Sequence, residues 1–170
     1  LPQDSTRVRL DTAEALYARR AGAPIESRLA LGLAMEALSG RPDAESLRRN
    51  WPNMAANLLD DLRSHAMQRT GRHVWVRSAD PLWGDGLGSG MGNDVRMTAL
   101  FLRLLAQTNP SDRDLAGLVA WLLDHRQARS GGWANQHMTA LTLDLLVSAV
   151  AALEGPSSQV SVKVAVGKEF

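Results

Sequence analysis

The sequence predicts an all-α fold of helical hairpins, followed by a single β-strand at the C-terminal end. Three observations predict it. Apolar residues recur at helical spacing through most of the chain. Glycines, prolines and capping residues interrupt that pattern at hairpin lengths. The signature Met97-Thr98-Ala99-Leu100 returns 41 residues later as Met138-Thr139-Ala140-Leu141, a period that suits stacked pairs of helices.

Taken in order, the first helix runs from Arg7 to Arg20, with Asp4 or Ser5 as its cap and Gly22 as its stop. Pro24 stands where a first helical residue tolerates proline, since its missing N–H would have no partner there. Ile25 to Leu38 follows, closed by Gly40. Leu29, Leu31, Leu33 and Met35 alternate as a strand would, yet Ala30, Ala34 and Ala37, the proline start and the glycine stop favour a buried helix. These two helices make a first hairpin.

Leu47, Trp51, Met54, Leu58 and Leu62 hold helical phase across Pro52, so either a kink or a new helix is expected at that proline. In Arg72 to Arg77, Val74 and Val76 alternate with polar neighbours, which predicts a short strand or extended loop. Pro81 to Asn93 contains five glycines and reads as a loop. Asp94 is placed to cap the next helix, whose Met97, Leu100, Phe101, Leu104 and Leu105 share one face, and Asn109-Pro110 ends it.

The most apolar stretch is 115–150. Ser111 and Asp114 are spaced as a capping box, and Leu115, Leu118, Val119 and Leu122 define a helix. Ser130-Gly131-Gly132 supplies the permissive backbone that ends it, and Asn135 can cap the last helix. Met138, Leu141, Leu145, Ala149 and Ala152 form one stripe on that helix, and Leu143, Leu146, Val150 and Leu153 form a second. It is therefore expected to pack on two sides, within a hairpin. From Gly155-Pro156 the period changes to two: Val160, Val162, Val164 and Val166 alternate with smaller or polar residues. One strand cannot stabilise itself, so it should join a sheet elsewhere. The division expected is a helical domain over 1–155 and a linker with strand over 156–170, in a chain read as a piece of a longer protein.

A repeat of ~40 residues built from two helices means an open solenoid or a closed ring, an α/α-toroid. Thr12-Ala13-Glu14-Ala15-Leu16 is a fainter third copy, and three hairpins would make half of a six-hairpin ring.

Composition narrows the function. Of 170 residues, 45% are hydrophobic, and 19 Lys plus Arg balance 18 acidic residues. This gives no basic footprint for nucleic acid or an anionic membrane. No apolar run approaches the ~20 residues that span a bilayer. The chain has no cysteine, which excludes disulfides, thiolate metal sites and a cysteine nucleophile within it. His65, His73, His125 and His137 lack metal-ligand spacing. The alternating glycines from Gly84 to Gly92 do not make a phosphate cradle, and Asp80, Asp85 and Asp94 lack the spacing of a calcium loop. Trp83, Trp121 and Trp133, beside glycine loops, could line a pocket but suit the plugging of hairpin ends. No cofactor, metal or catalytic residue is assigned.

Trp83, the interval to Asp94, Met97-Thr98-Ala99-Leu100, Val119-Ala120-Trp121-Leu122 with Gln127, Gly131-Gly132-Trp133, and Thr139-Ala140-Leu141 together carry a likeness. They resemble the C-terminal half of the thioester-containing domain of the alpha-2-macroglobulin and complement family, in its bacterial branch. The likeness covers the chain from about Asp4 to its end and is most specific from Leu82 to Leu153. It implies a non-enzymatic part of a many-domain periplasmic or extracellular protease trap, whose partners are target proteases and the parent chain's other domains. The family's Cys–Gln thioester motif cannot lie in a chain without cysteine. The structural motif positions carried over are Trp83, Thr98, Trp121, Gln127, Gly131, Gly132, Trp133 and Thr139. Gln127, Gly131 and Trp133 also fit the Q-x-x-x-G-x-W repeat of terpenoid cyclases, which share the helical ring, but the acidic D-x-D-D motif of those enzymes is absent. A plain helical-repeat binding module is the third reading. Half a ring would expose apolar helix faces, so self-association of the isolated chain is expected.

Overall fold

Residues 2–78, 91–127, 131–133 and 135–154 are described by the computed structural model. They are mostly helical. The described elements are α1 (Pro2–Ala18), α2 (Ile25–Ser39), α3 (Glu45–Ala66), β1 (Met67–Thr70), β2 (His73–Val76), α4 (Met91–Thr108), α5 (Leu115–Asp124) and α6 (Gln136–Glu154), with a short 3₁₀ turn at Arg20–Gly22. Of the loop expected over Pro81 to Asn93, residues 91–93 instead form the start of α4, and the remainder, like the strand over 160–166 and the boundary at 155, lies outside the described residues.

The helices differ from expectation mainly at their ends. The first begins at Pro2, so Asp4 and Ser5 lie inside it instead of capping it. Pro24 is the extended residue before α2, with φ −55° and ψ 153°, and the helix starts one residue later. The alternating leucines of α2 are helical, and its core positions Leu29 and Met35 are fully buried. No new helix starts at Pro52: α3 runs through it from Glu45, and what the proline withholds is the N–H that would reach the Arg48 carbonyl. Arg28 joins three segments, pairing with Asp61 at 2.6 Å and donating to the Ala23 and Ala21 carbonyls.

The extended segment at 72–77 is a strand, and it has a partner the sequence did not announce. β1 leaves α3 without a break and pairs antiparallel with β2, Met67 opposite Val76 and Thr70 opposite His73. The connection is Gly71-Arg72, with Gly71 at φ +57°, a backbone region open mainly to glycine. Val74 and Val76 point into the core. Gly117 of α5 lies against this strand: a Cβ there would stand 2.6 Å from Val74 Cγ2 and 2.9 Å from the Arg72 carbonyl oxygen.

The centre of the molecule is α4. Val95, Met97, Thr98, Ala99, Phe101, Leu102, Leu104, Leu105 and Ala106 are all buried. Instead of the single apolar face expected, α4 is enclosed nearly all round by α2, α3, α5, α6 and β2. Here two expectations are corrected. α5 and α6 do not form a close hairpin; each packs on α4 and they barely meet. Nor is α6 covered on two sides. Met138, Thr142, Leu145 and Ala149 are buried, while Leu143, Val147 and Val150 are 49%, 66% and 42% exposed.

The expected capping box at Ser111 and Asp114 is also replaced. Asp112 holds the turn, its Oδ1 accepting the Asp114 N–H at 3.0 Å and its Oδ2 accepting from Asn109 at 3.1 Å and from Arg63. Asp114, buried, accepts from Arg69 at 2.7 Å and lies 3.6 Å from Arg63 Nε. The Arg69 hydrogen bond, helped by the charges of Arg63 and Arg113, holds the Asp114 carboxyl below its ordinary value, against the effect of burial.

Two predictions follow from this packing. Gly117→Ala should destabilise the chain by ~1–3 kcal/mol in urea titrations, because the methyl meets backbone and the overlap outweighs alanine's better helix propensity; an unchanged or higher midpoint would refute the contact. Because the folded Asp114 carboxyl is depressed, its contribution is complete above about pH 4 and is lost as pH falls through the folded value. The stability gap between wild type and Asp114→Asn, ~1 kcal/mol at pH 7 given the half-exposed Arg69, should therefore shrink at pH 3. A gap independent of pH would refute the ion pair.

Candidate functional site

Five of the motif residues come together in one turn. The Gln127 N–H donates to the Gly132 carbonyl at 2.8 Å, and the Gly131 N–H donates back to the Gln127 carbonyl at 2.8 Å. Gly131 has φ +66°, which explains its residue type. Gly132 is required by space, since a Cβ there would overlap the Thr139 side chain. Trp133, 2% exposed, spans the gap between the two helices. Its indole N–H donates to the Leu122 carbonyl of α5 at 2.7 Å, and its backbone N–H donates to the Thr139 hydroxyl of α6 at 2.9 Å. The same hydroxyl donates to the Trp133 carbonyl at 3.1 Å. Asn135 caps α6 as expected, its Oδ1 accepting the Met138 N–H at 2.9 Å. The bulk of Trp133 between α5 and α6 accounts for their separation.

Thr98, in the other copy of the repeat, acts in the same way. Fully buried, its hydroxyl accepts the Val76 N–H at 3.0 Å. In both copies the threonine of Met-Thr-Ala-Leu ties the incoming backbone to the first turns of an α-helix, and the methionine before it is buried. The repeat is thus a repeated hydrogen bond as well as a repeated word. Trp83 lies outside the described residues.

Trp121 belongs to a different place. It stacks on Trp75 of β2, with centroids 5.9 Å apart and planes 10° from parallel, and also stacks with His125 at 4.0 Å. Thr70, His73, Trp75, Asp94, Trp121 and His125 line a cleft of about 440 Å³. His73 Nε2 meets Asp124 Oδ2 at 2.7 Å, and Arg72 reaches the same oxygen at 3.0 Å. These two partners lower the Asp124 carboxyl. Asp94 is not the cap of α4. It lies within the first turn, where its Oδ1 accepts the Ser78 N–H at 2.8 Å. Burial raises its carboxyl, partly offset by that hydrogen bond and the charge of Arg77.

A second groove, of about 540 Å³, runs beside the glycine turn along Gln127, Trp133, Gln136, Ala140 and Leu143, toward the exposed stripe of α6. Among the described residues no grouping of His, Asp or Glu could hold a metal ion, and no helix is long and apolar enough to cross a membrane. Sequence reasoning treated the histidines as dispersed and did not bring His73 and His125 together. The available signal was that Trp75 stands two residues from His73 on one face of a strand, and Trp121 one helical turn before His125. Compared with protein-family models, characterised proteins and solved structures, the chain matches none.

Thr139→Val should cost ~1–3 kcal/mol, because it keeps the shape while leaving the Trp133 N–H without an acceptor. Thr98→Val should cost a similar amount through Val76. Urea titrations of both variants check this, and a neutral result at both would refute the shared role of the repeat.

Proposed function

We propose that this chain is a structural and interaction segment of an alpha-2-macroglobulin-like protease trap, corresponding to the C-terminal half of its helical, toroidal domain. It would act without catalysis of its own, in the periplasm or outside the cell, against target proteases and the parent's other domains. The observation that carries the reading is α6. Its one face is buried on α4, and its other bears Leu143, Val147 and Val150 in the open. A helix apolar on both sides is composed for two neighbours, and the second neighbour belongs to the rest of a ring. The motif residues from Gln127 to Thr139 support the same reading in a bracing role, since their polar groups are spent on backbone partners. The terpenoid-cyclase reading shares that brace but lacks its acidic motif in this sequence.

The parent protein, mixed with excess protease, should abolish activity on large substrates while leaving small substrates cleavable. A protease band shifted upward on a denaturing gel would add a thioester from outside this chain. Indiscriminate degradation with no protection would overturn the trap. For the isolated chain, sedimentation should show self-association that Val147→Lys weakens. A monomer at high concentration that binds no hydrophobic dye would count against the missing half-ring.

A further inference from the structure

Beyond the bracing and packing roles, the cleft between the β-hairpin, α4 and α5 has the composition of a ligand site. Its hydrogen-bonding atoms can be assigned. His125 Nδ1 lies 2.7 Å from the Trp121 carbonyl oxygen. A carbonyl only accepts, so Nδ1 carries the proton and Nε2 of the neutral ring is an acceptor. His73 Nε2 lies against the Asp124 carboxylate, so Nε2 is the donor, and Nδ1 is an acceptor when the ring is neutral. Asp94 spends Oδ1 on the Ser78 N–H, and its Oδ2 has no partner among the described residues. Of the cations nearby, Arg72 is already on Asp124, and the exposed Arg77 reaches Asp94 only through its charge. What remains toward the cleft is a carboxylate oxygen, two imidazole acceptors, a threonine hydroxyl and the π-surfaces of Trp75 and His125, both half-buried.

Such a set selects a flat, donor-rich cation. An anion would meet an unpaired carboxylate. An ammonium would satisfy the carboxylate without using parallel rings, whereas a guanidinium is planar, stacks on aromatic faces and offers several N–H donors in one plane. We propose that the Trp75–Trp121–His125 cleft binds an alkylguanidinium group, with the Asp94 carboxylate as its counter-ion and the stacked rings as its platform. The group would come either from an arginine side chain of a polypeptide or from a free guanidino compound.

The test uses the whole chain and calorimetric titration, with indole N–H signals in NMR spectra locating the binding. N-acetyl-arginine amide should bind in the millimolar range and shift the Trp75 and Trp121 indole signals. N-acetyl-citrulline amide, the neutral isostere, should bind at least about tenfold more weakly. Asp94→Asn, which keeps an oxygen for the Ser78 N–H, should lose a similar factor for the arginine probe and none for the citrulline one. Equal binding of both probes to the unaltered chain would overturn the proposal whether or not the variant folds, and so would the absence of shifts at Trp75 and Trp121. Tighter binding of a peptide with residues flanking arginine would assign the group to a polypeptide. Tighter binding of agmatine than of the blocked amino acid would assign it to a small molecule. Protease trapping by the parent plays no part in these readouts, so either idea can fail alone.

Discussion

The fold depends on the burial of α4. A helix enclosed on nearly every side needs neighbours that come close enough to cover it, and two of its neighbours contribute glycines for the purpose. Gly32 of α2 faces Leu104 of α4 and Leu58 of α3, where a Cβ would lie 2.7 and 2.8 Å from their terminal methyl groups. Gly117 of α5 gives β2 the same clearance. Interiors pack near the density of organic crystals, so these missing side chains set how closely the layers approach. Arg96, Arg103 and Gln107 form the polar strip of α4, where Gln107 is exposed and the two arginines are half-buried.

Around this helix the electrostatics is peripheral but directional. Arg63 of α3, Arg69 of β1 and the aspartates at 112 and 114 converge where the β-hairpin leaves α3 and the chain enters α5. Asp124 gathers Arg72 and His73 at the far end of the same hairpin. The two carboxylate clusters therefore clamp the hairpin to α5 at both ends, while Val74 and Trp75 fill the interval. The hairpin is short, and a two-stranded ribbon alone is marginal in water; its order comes from these clamps and from the surface of α5.

Element type was legible in the sequence wherever apolar periodicity was long. α2, α4, α5 and α6 were found, and so was the cap at Asn135. Less was legible where polar residues set the structure. β1 reads Met-Gln-Arg-Thr, with three exposed residues, and carries no alternation to announce a strand. The turn before α5 uses Asp112 because Arg63, far away in sequence, also needs it. α4's centrality was hidden because Met97, Leu100, Phe101, Leu104 and Leu105 already make one complete face, and the burial of Val95, Leu102 and Ala106 depends on five separate neighbours. For the glycine turn, local motifs sufficed, since Gln127 to Thr139 bond mostly among themselves. The aromatic cleft, by contrast, draws on β1, β2, α4 and α5, and no local pattern could assemble it.

The threonine anchors have a consequence for how the chain comes together. Thr139 fastens a residue only six positions earlier, and Asn135 fastens the turn in between. These closures are of short range and cost little chain entropy. The start of α6 can thus be organised before the helix finds α4, and the bare stripe of Leu143, Val147 and Val150 plays no part in that sequence of events. The segment can reach its shape with one edge still unclaimed, and present that edge, already formed, to whatever is built on it next.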